Sequence, residues 1–329
     1  MSCDCDYILK KEDVETQHYS NCSSLAGGAA KLRNPDGTLT LNNKHLKSLD
    51  SDYLYHLGID TGSYDLSMFE DVKFVCLGGK KHRMHEFAKY MTRVLGLETG
   101  EKLVNLTKHS KRFAMYKVGP VLSVNHGIGV PSMTTVLQEV IKLMYYAKAK
   151  DPIFIRLGTS GGLNVPAGSV VISSCGLSGT MEKSYDLPIL GQVRRMPSIL
   201  DARLSQEILQ VANGIKEFNT YIGATMGADD FYRGQGRLDG PFCDYTEENK
   251  MAFLRKLAGL DVKNIEMEAT AFAAFTSQAG VRGAIICVTF LDRLHGDQVL
   301  TPPETLAKWE ERPMAILGKL IAKYCDKKA

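Results

Sequence analysis

Arg156 makes the clearest chemical demand in this chain. It follows Pro152-Ile153-Phe154-Ile155 and precedes Leu157 and Gly158-Thr159-Ser160-Gly161-Gly162. Branched and aromatic residues at that length predict a buried strand over Ile153–Leu157 that ends in a glycine turn. A guanidinium stays charged and is seldom buried without a partner. Two arrangements satisfy it. In one, Arg156 joins the turn's backbone N–H groups and two hydroxyls to form a socket for a small anion, most simply phosphate. In the other it pairs with an internal carboxylate.

A second cluster, Phe231-Tyr232-Arg233-Gly234-Gln235-Gly236-Arg237, has the make-up of a base reader. Gln235 donates and accepts at once, whereas Arg237 only donates. Side by side they match an imide edge, O=C–NH–C=O, which uracil and thymine present. Phe231 adds a ring that can stack, and the flanking glycines let the loop approach a ligand closely. A solvated glycine loop is the plainer alternative. In Asn264-Ile265-Glu266-Met267-Glu268 a carboxylate stands where a strand leads into a helix. Glu268 there either chelates two neighbouring hydroxyls, as in a ribose diol, or acts as an acidic residue favouring the helix dipole. Met267 reads equally well as core.

Arg83 and Arg112 lie beside predicted strands, and with Arg156 they suit the clamping of one phosphate dianion. At about 4 Å and an effective dielectric near 20, each such pair is worth roughly 4 kcal/mol before desolvation. His56, alone in Tyr53-Leu54-Tyr55-His56-Leu57-Gly58, reads by itself as structural or exposed. The sequence contains no H-E-x-x-H, EF-hand or Walker pattern, so it gives no support to metal-dependent chemistry or nucleotide triphosphate hydrolysis.

The elements that must hold these groups alternate along the chain. Strands are predicted at Val72–Leu77, Ala114–Val118, Val121–Val124, Ile153–Leu157, Ser169–Ile172, Tyr221–Thr225 and Gly283–Thr289. A helix carrying Arg83 follows Gly78-Gly79. Another follows Asn125-His126-Gly127-Ile128-Gly129, where Met133, Val136, Leu137, Val140, Ile141 and Met144 recur at helical spacing. Further helices are expected at Leu200–Val211, Glu247–Leu257, Ala269–Ala279 and around Met314–Tyr324. This alternation predicts an α/β sandwich with helices on both faces of one sheet. Residues 1–46 are polar and aperiodic and read as a flexible extension; residues 47–329 read as a single domain.

Bulk properties narrow the class. A formal net charge of +3 and the lack of a basic block with interleaved aromatics argue against nucleic-acid or membrane-surface partners. No apolar run is long enough to span a bilayer, and no apolar core follows the N-terminus as in a secretory signal. The eight cysteines are scattered without a C-x-x-C pair, which fits reduced thiols in a cytoplasmic protein.

Taken jointly, the clusters resemble the nucleoside phosphorylase superfamily, and within it the animal-type uridine phosphorylases. The resemblance runs from about Ser51 to Tyr324 and is most specific in Arg156–Gly162, Phe231–Arg237 and Glu266-Met267-Glu268. The Gln235-Gly236-Arg237 element resembles the family's uracil reader. The resemblance implies a three-layer αβα sandwich around a mixed sheet. It implies that uridine and phosphate are converted reversibly to uracil and ribose 1-phosphate, with no metal and no organic cofactor. Gly79, Arg83, Arg156 and Thr159 are then expected to hold phosphate, with Arg112 reaching in from the partner subunit of a homodimer. Met267 and Glu268 are expected on the ribose, and His56 of the partner subunit on its 5′ hydroxyl. Phe231 is expected to stack on the base, Gln235 and Arg237 to bind its edge, Arg293 to back that pair, and Phe290 and Leu291 to line the pocket. Catalysis falls to Arg156, Gln235 and Arg237.

Some positions depart from the family pattern. Asn125 stands where a small residue is usual, and Thr135 and Val140 replace isoleucine and leucine. Asp292 stands where uridine enzymes often carry asparagine; purine enzymes of the superfamily use an aspartate in this neighbourhood. A purine nucleoside phosphorylase and a uridine-binding paralogue without turnover are therefore the alternatives.

Overall fold

The computed structural model describes residues 32–97 and 102–326. In chain order its strands are β1 (Tyr53–Leu54), β2 (Ile59–Asp60), β3 (Phe74–Gly78), β4 (Met115–Val118), β5 (Val121–Asn125), β6 (Ile153–Gly162), β7 (Val170–Leu177), β8 (Ser184–Ile189), β9 (Gln192–Pro197), β10 (Thr220–Gly227), β11 (Val262–Glu266) and β12 (Arg282–Asp292). The helices are α1 (Lys81–Val94), α2 (Val130–Tyr146), α3 (Ala202–Ala212), α4 (Glu247–Gly259), α5 (Ala269–Gln278) and α6 (Pro303–Asp326).

Eight strands form one mixed sheet in the order β11-β10-β7-β12-β6-β3-β5-β4. The parallel pairs need helical crossovers, which sets the alternation read from the sequence. β11 also pairs antiparallel with the far end of β6, through Asn264↔Gly162 and Ile265↔Gly161. The first five strands therefore close into a ring, and the sheet continues from β6 as an open wing. Apolar side chains explain the layers. Met133, Val136, Leu137, Val140 and Met144 of α2 pack with Ala271 and Phe272 of α5 on one face. Met84, Phe87 and Met91 of α1, Leu204 and Ile208 of α3, and Leu317, Leu320 and Ile321 of α6 fill the other. Leu254 and Leu257 of α4 cover the ring. The expected αβα sandwich is the one observed.

One expectation changes, and two further features stand out. Gly158-Thr159-Ser160-Gly161-Gly162 is not a turn; β6 runs through it to Gly162. The reason lies in its neighbours: Arg156 folds along its own strand, so that a Cβ on Gly158 would stand 3.1 Å from the Arg156 Nη1. On Gly161 it would stand 2.8 Å from Cγ of Arg293. The glycines make room for two arginines, a requirement set by packing rather than by chain reversal. Second, the hairpin β8–β9 went unpredicted, because most of its side chains face solvent and proline ends one strand and interrupts the other. Third, the described part of the polar N-terminal stretch, residues 32–46, is fastened to the domain. Leu39 is buried, Arg33 pairs with Asp151 at 2.6 Å and donates to the Gly280 carbonyl, and Thr38 bridges to Lys150. Residues 1–31, with Cys3, Cys5 and Cys22, lie outside the described residues.

Candidate active site

Register places the first cluster. Arg156 lies opposite Leu77 of β3 and Ile285 of β12, so the carboxyl ends of three parallel strands converge around it. Such ends are where open α/β sheets bind ligands. The Arg156 guanidinium is buried, and its Nη2 meets two carboxylates: Glu266 at 2.8 Å and Glu268. Nη1 donates to Cys287 Sγ at 3.5 Å. The internal-carboxylate arrangement is thus realised, within the very cluster that was read as an anion socket. Ser160 leaves the socket: its hydroxyl accepts from Asn264 Nδ2 at 2.9 Å and turns into the core. Thr159 stays half-buried and Gly79 likewise.

The two glutamates divide the work that one was expected to do. Glu266, at the end of β11, accepts from the backbone N–H of Glu268 and of Ala269 (2.7 Å), and so holds the start of α5. Glu268 turns away from that helix and accepts from the Gly129 N–H at 2.6 Å, at the start of α2. Burial and the neighbouring Glu268 push the Glu266 carboxyl up to about 7, against the pull of Arg156. Glu268 is buried too, yet the Arg156 guanidinium holds it below the ordinary carboxylate range. Met267, between them, is half-buried.

Arg83 reaches this region from α1 but is committed. It donates from Nε (3.1 Å) and Nη2 (2.9 Å) to Glu310 of α6, which also takes Lys80 at 2.8 Å. His126 follows β5 and is 1% exposed, with its ring beside Gly79. It entered the sequence reading only as part of a helix lead-in.

The base-reading cluster forms further along the same strand, at its carboxyl end. Arg293 is fully buried against Gly161, with Leu291 beside it. It donates from Nη1 to Gln235 Oε1 (3.3 Å) and from Nη2 to the Gln235 carbonyl (2.9 Å). With the amide oxygen held this way, the Gln235 NH2 group is the end left to meet a ligand carbonyl. Arg237 donates from Nη1 to the Asp297 carbonyl at 2.6 Å, and its guanidinium stacks 4.2 Å from the Phe231 centroid. Its Nε is buried with no hydrogen-bond partner among the described residues. Asp297, which the sequence reading missed, pairs with Arg293 (3.0 Å) and with Lys250 (2.8 Å). Phe290 is half-buried. Asp292 accepts from the Asn164 N–H (3.2 Å) and Leu294 N–H (3.1 Å), which ties it to local loops. Asn125 takes the Ala114 N–H at 2.6 Å and closes the sheet edge.

Among the described residues, neither His56 nor Arg112 forms a hydrogen bond or ion pair with either cluster. His56 pairs through Nδ1 with Glu139 at 2.7 Å, and Arg112 is exposed.

The chain belongs to the phosphorylase superfamily, whose family model matches residues 73–322. It is 44% identical over 290 residues to the uridine and thymidine phosphorylase of Caenorhabditis elegans, covering 88% of this chain and 97% of that one. It is 42% identical to uridine phosphorylase 1 of Mus musculus, covering 88% and 93%. A solved structure from a study of two uridine phosphorylases of the oomycete Phytophthora capsici superimposes with a TM-score of 0.83 at 42% identity, covering 87% of this chain and 98% of that one.

Proposed function

We propose that this protein catalyses the reversible phosphorolysis of uridine to uracil and ribose 1-phosphate in pyrimidine salvage and catabolism, as a cytoplasmic homodimer. One observation carries the reading. A single strand, β6, brings the Arg156 guanidinium to Gly158 and the Arg293 side chain to Gly161. Three strand residues span about 10 Å, so the arginine of each cluster packs against the carboxyl half of this one strand.

In this reading phosphate lies against Gly79, Arg83, Arg156 and Thr159. The ribose diol lies on Glu268 with Met267 beside it, and the uracil edge on Gln235 and Arg237 beside Phe231, Phe290 and Leu291. The C1′–N1 bond lengthens first, and the base departs as an anion with charge on its carbonyl oxygens. Arg237 and the Gln235 NH2 meet that charge in a dry site, where each placed donor is typically worth about 2.7–4 kcal/mol. Phosphate then attacks C1′ from the opposite face, held in near-attack geometry by the arginines. The uracil anion takes its proton from water after departure. No metal and no organic cofactor enters.

The test incubates purified protein with uridine, with and without phosphate, and with inosine plus phosphate. Uracil formed only in the phosphate arm is the expected result. Uracil without phosphate indicates a hydrolase, turnover of inosine a purine enzyme, and binding without product a silent paralogue.

A further inference from the structure

His126 is the group that the proposed chemistry leaves unused. Its backbone is fixed: the N–H donates to the Gly78 carbonyl at 2.8 Å, and its carbonyl accepts from Ser132 Oγ at 2.6 Å. The imidazole is buried, and neither ring nitrogen has a hydrogen-bond partner among the described residues. Buried polar atoms in native proteins are nearly always paired, so an orphaned ring in a polar site calls for a ligand. The surroundings say which. Cε1 lies 4.0 Å from where a Cβ on Gly79 would stand. The charges acting on the ring are Arg156 from β6, Glu268 before α5 and Arg83 from α1. Three of these four neighbours are the residues read above as the phosphate cradle.

That cradle is short of free positive charge within one chain. Arg156 already faces two carboxylates, and Arg83 shares Glu310 with Lys80. A dianion entering between them meets Arg156, offset by its two carboxylates, and one net positive charge from Arg83, Lys80 and Glu310 together. His126 is an ionisable group beside them whose ring forms no hydrogen bond or ion pair among the described residues.

We propose that His126 is a phosphate ligand that donates a ring N–H to the anion and becomes protonated as the dianion enters. The inference rests on the phosphorolysis reading. The proton comes from solvent or from the monoanion H2PO4⁻, which then stands in the site as HPO4²⁻ beside an imidazolium. It returns to solvent when the phosphorylated sugar leaves. In the unliganded site burial, and after it Arg156, holds the imidazole pKa down to about 3, with Glu268 opposing and Arg83 adding. The ring is therefore neutral until a doubly negative neighbour reverses the balance.

The experiment uses inorganic phosphate and the full chain. Protein labelled with carbon-13 at histidine Cε1 is titrated with acid and base, with and without saturating phosphate. The expected result is one buried resonance whose midpoint rises by about four pH units in phosphate, enough to hold the proton near neutral pH. His126→Asn and His126→Gln supply the assignment. They should weaken phosphate by about ten- to a hundredfold, as the loss of a hydrogen bond to a charged group does, while uracil affinity stays within about twofold. An unmoved resonance in protein that binds phosphate by calorimetry overturns the proposal alone, as does a variant that loses uracil rather than phosphate. Wild-type protein that binds no phosphate overturns both this proposal and the reading beneath it. The labelled wild-type titration decides the matter even if neither variant folds.

Discussion

The guanidinium carbon of Arg237 lies 4.2 Å from the centroid of the Phe231 ring, so the residue expected to read the base edge is itself held by the residue expected to stack on the base. The contact is a cation–π pair at a partly exposed ring, of the order of 1 kcal/mol. Arg237→Ala should cut kcat by about a hundred- to a thousandfold, because it removes a donor aimed at charge that develops only as the bond breaks. The KM for phosphate should barely move. Phe231→Ala should raise the KM for uridine about tenfold, since it loses both a stacking face and the arginine's support. Steady-state kinetics in both substrates separate the two variants; a phosphate KM that rises more than kcat falls in Arg237→Ala refutes the assigned role.

Asp297 ties three cations of the base end together. Its carboxylate holds Arg293 (3.0 Å) and Lys250 (2.8 Å), and its carbonyl holds Arg237 (2.6 Å). Lys250 is 6% exposed, so loss of its partner leaves a buried, unpaired ammonium. Asp297→Ala should therefore destabilise the fold by about 3–5 kcal/mol. It should also weaken uracil and uridine binding more than phosphate binding, because the side-chain contacts broken all lie at the base end. Denaturant melts and ligand titrations check the two halves independently. Equal losses for uracil and phosphate would mean that the residue supports the fold alone.

What the sequence discloses depends on how far apart the partners are. Ile153–Leu157 and the face from Met133 to Met144 are local patterns, and both match the structure. The base cluster is legible because Phe231, Gln235 and Arg237 lie within one loop. The extension of β6 is not legible, since Gly158 and Gly161 answer to side chains: one belongs to the strand itself and the other comes from Arg293. Glu310 is hidden, being 227 residues from Arg83, and so is the hold of Asp297 on Arg237, 60 residues away, though its pairing with Arg293 spans only four. Glu266 and Glu268 share one short motif, but only the fold shows that the first holds a helix start while the second faces Gly129. His126 gave no signal beyond its place before a glycine; its burial without a hydrogen-bond partner among the described residues is a property of the assembled site.

Glu266 gives a pH signature with a definite sign. Its folded pKa is raised to about 7 from an ordinary value near 4.5, first by burial and then by Glu268. Between those values the folded state binds the more protons, so this group's contribution is fully present below about 4.5 and is lost as pH rises through about 7. Glu266→Gln keeps a carbonyl for the Ala269 N–H but cannot titrate. The stability of wild type minus that of Glu266→Gln, measured by urea unfolding, should therefore decline from about pH 4.5 to about pH 7 and then level off. His126, with its pKa depressed, acts with the opposite sign over part of that window, so the comparison must be between these two proteins and not along one curve. A difference that grows as pH rises would contradict the raised carboxyl.

His56 and Arg112 share one face of the protein. The His56 ring lies 6.4 Å from that of Phe113, the residue after Arg112, and a Cβ on Gly58 would touch Ser110 at 3.4 Å. Among the described residues no hydrogen bond or ion pair links either one to Arg156, Gln235 or Arg237. Glu139 clamps the His56 backbone and ring together, at 2.9 and 2.7 Å, so the imidazole is presented on a rigid base. A face of this kind can serve the site of a second copy placed about a twofold axis, as a homodimer with shared sites requires. The consequence is measurable by complementation. Arg112→Ala and Arg237→Ala should each be nearly inactive alone. When the two chains are co-expressed at equal levels, half of the dimers are mixed. Each mixed dimer then has one site built from an intact Arg237 of one chain and an intact Arg112 of the other. Activity should return to about one quarter of wild type. If every site were complete within its own chain, the mixture would show no more than the mean of the two variants, and the shared arrangement would be lost.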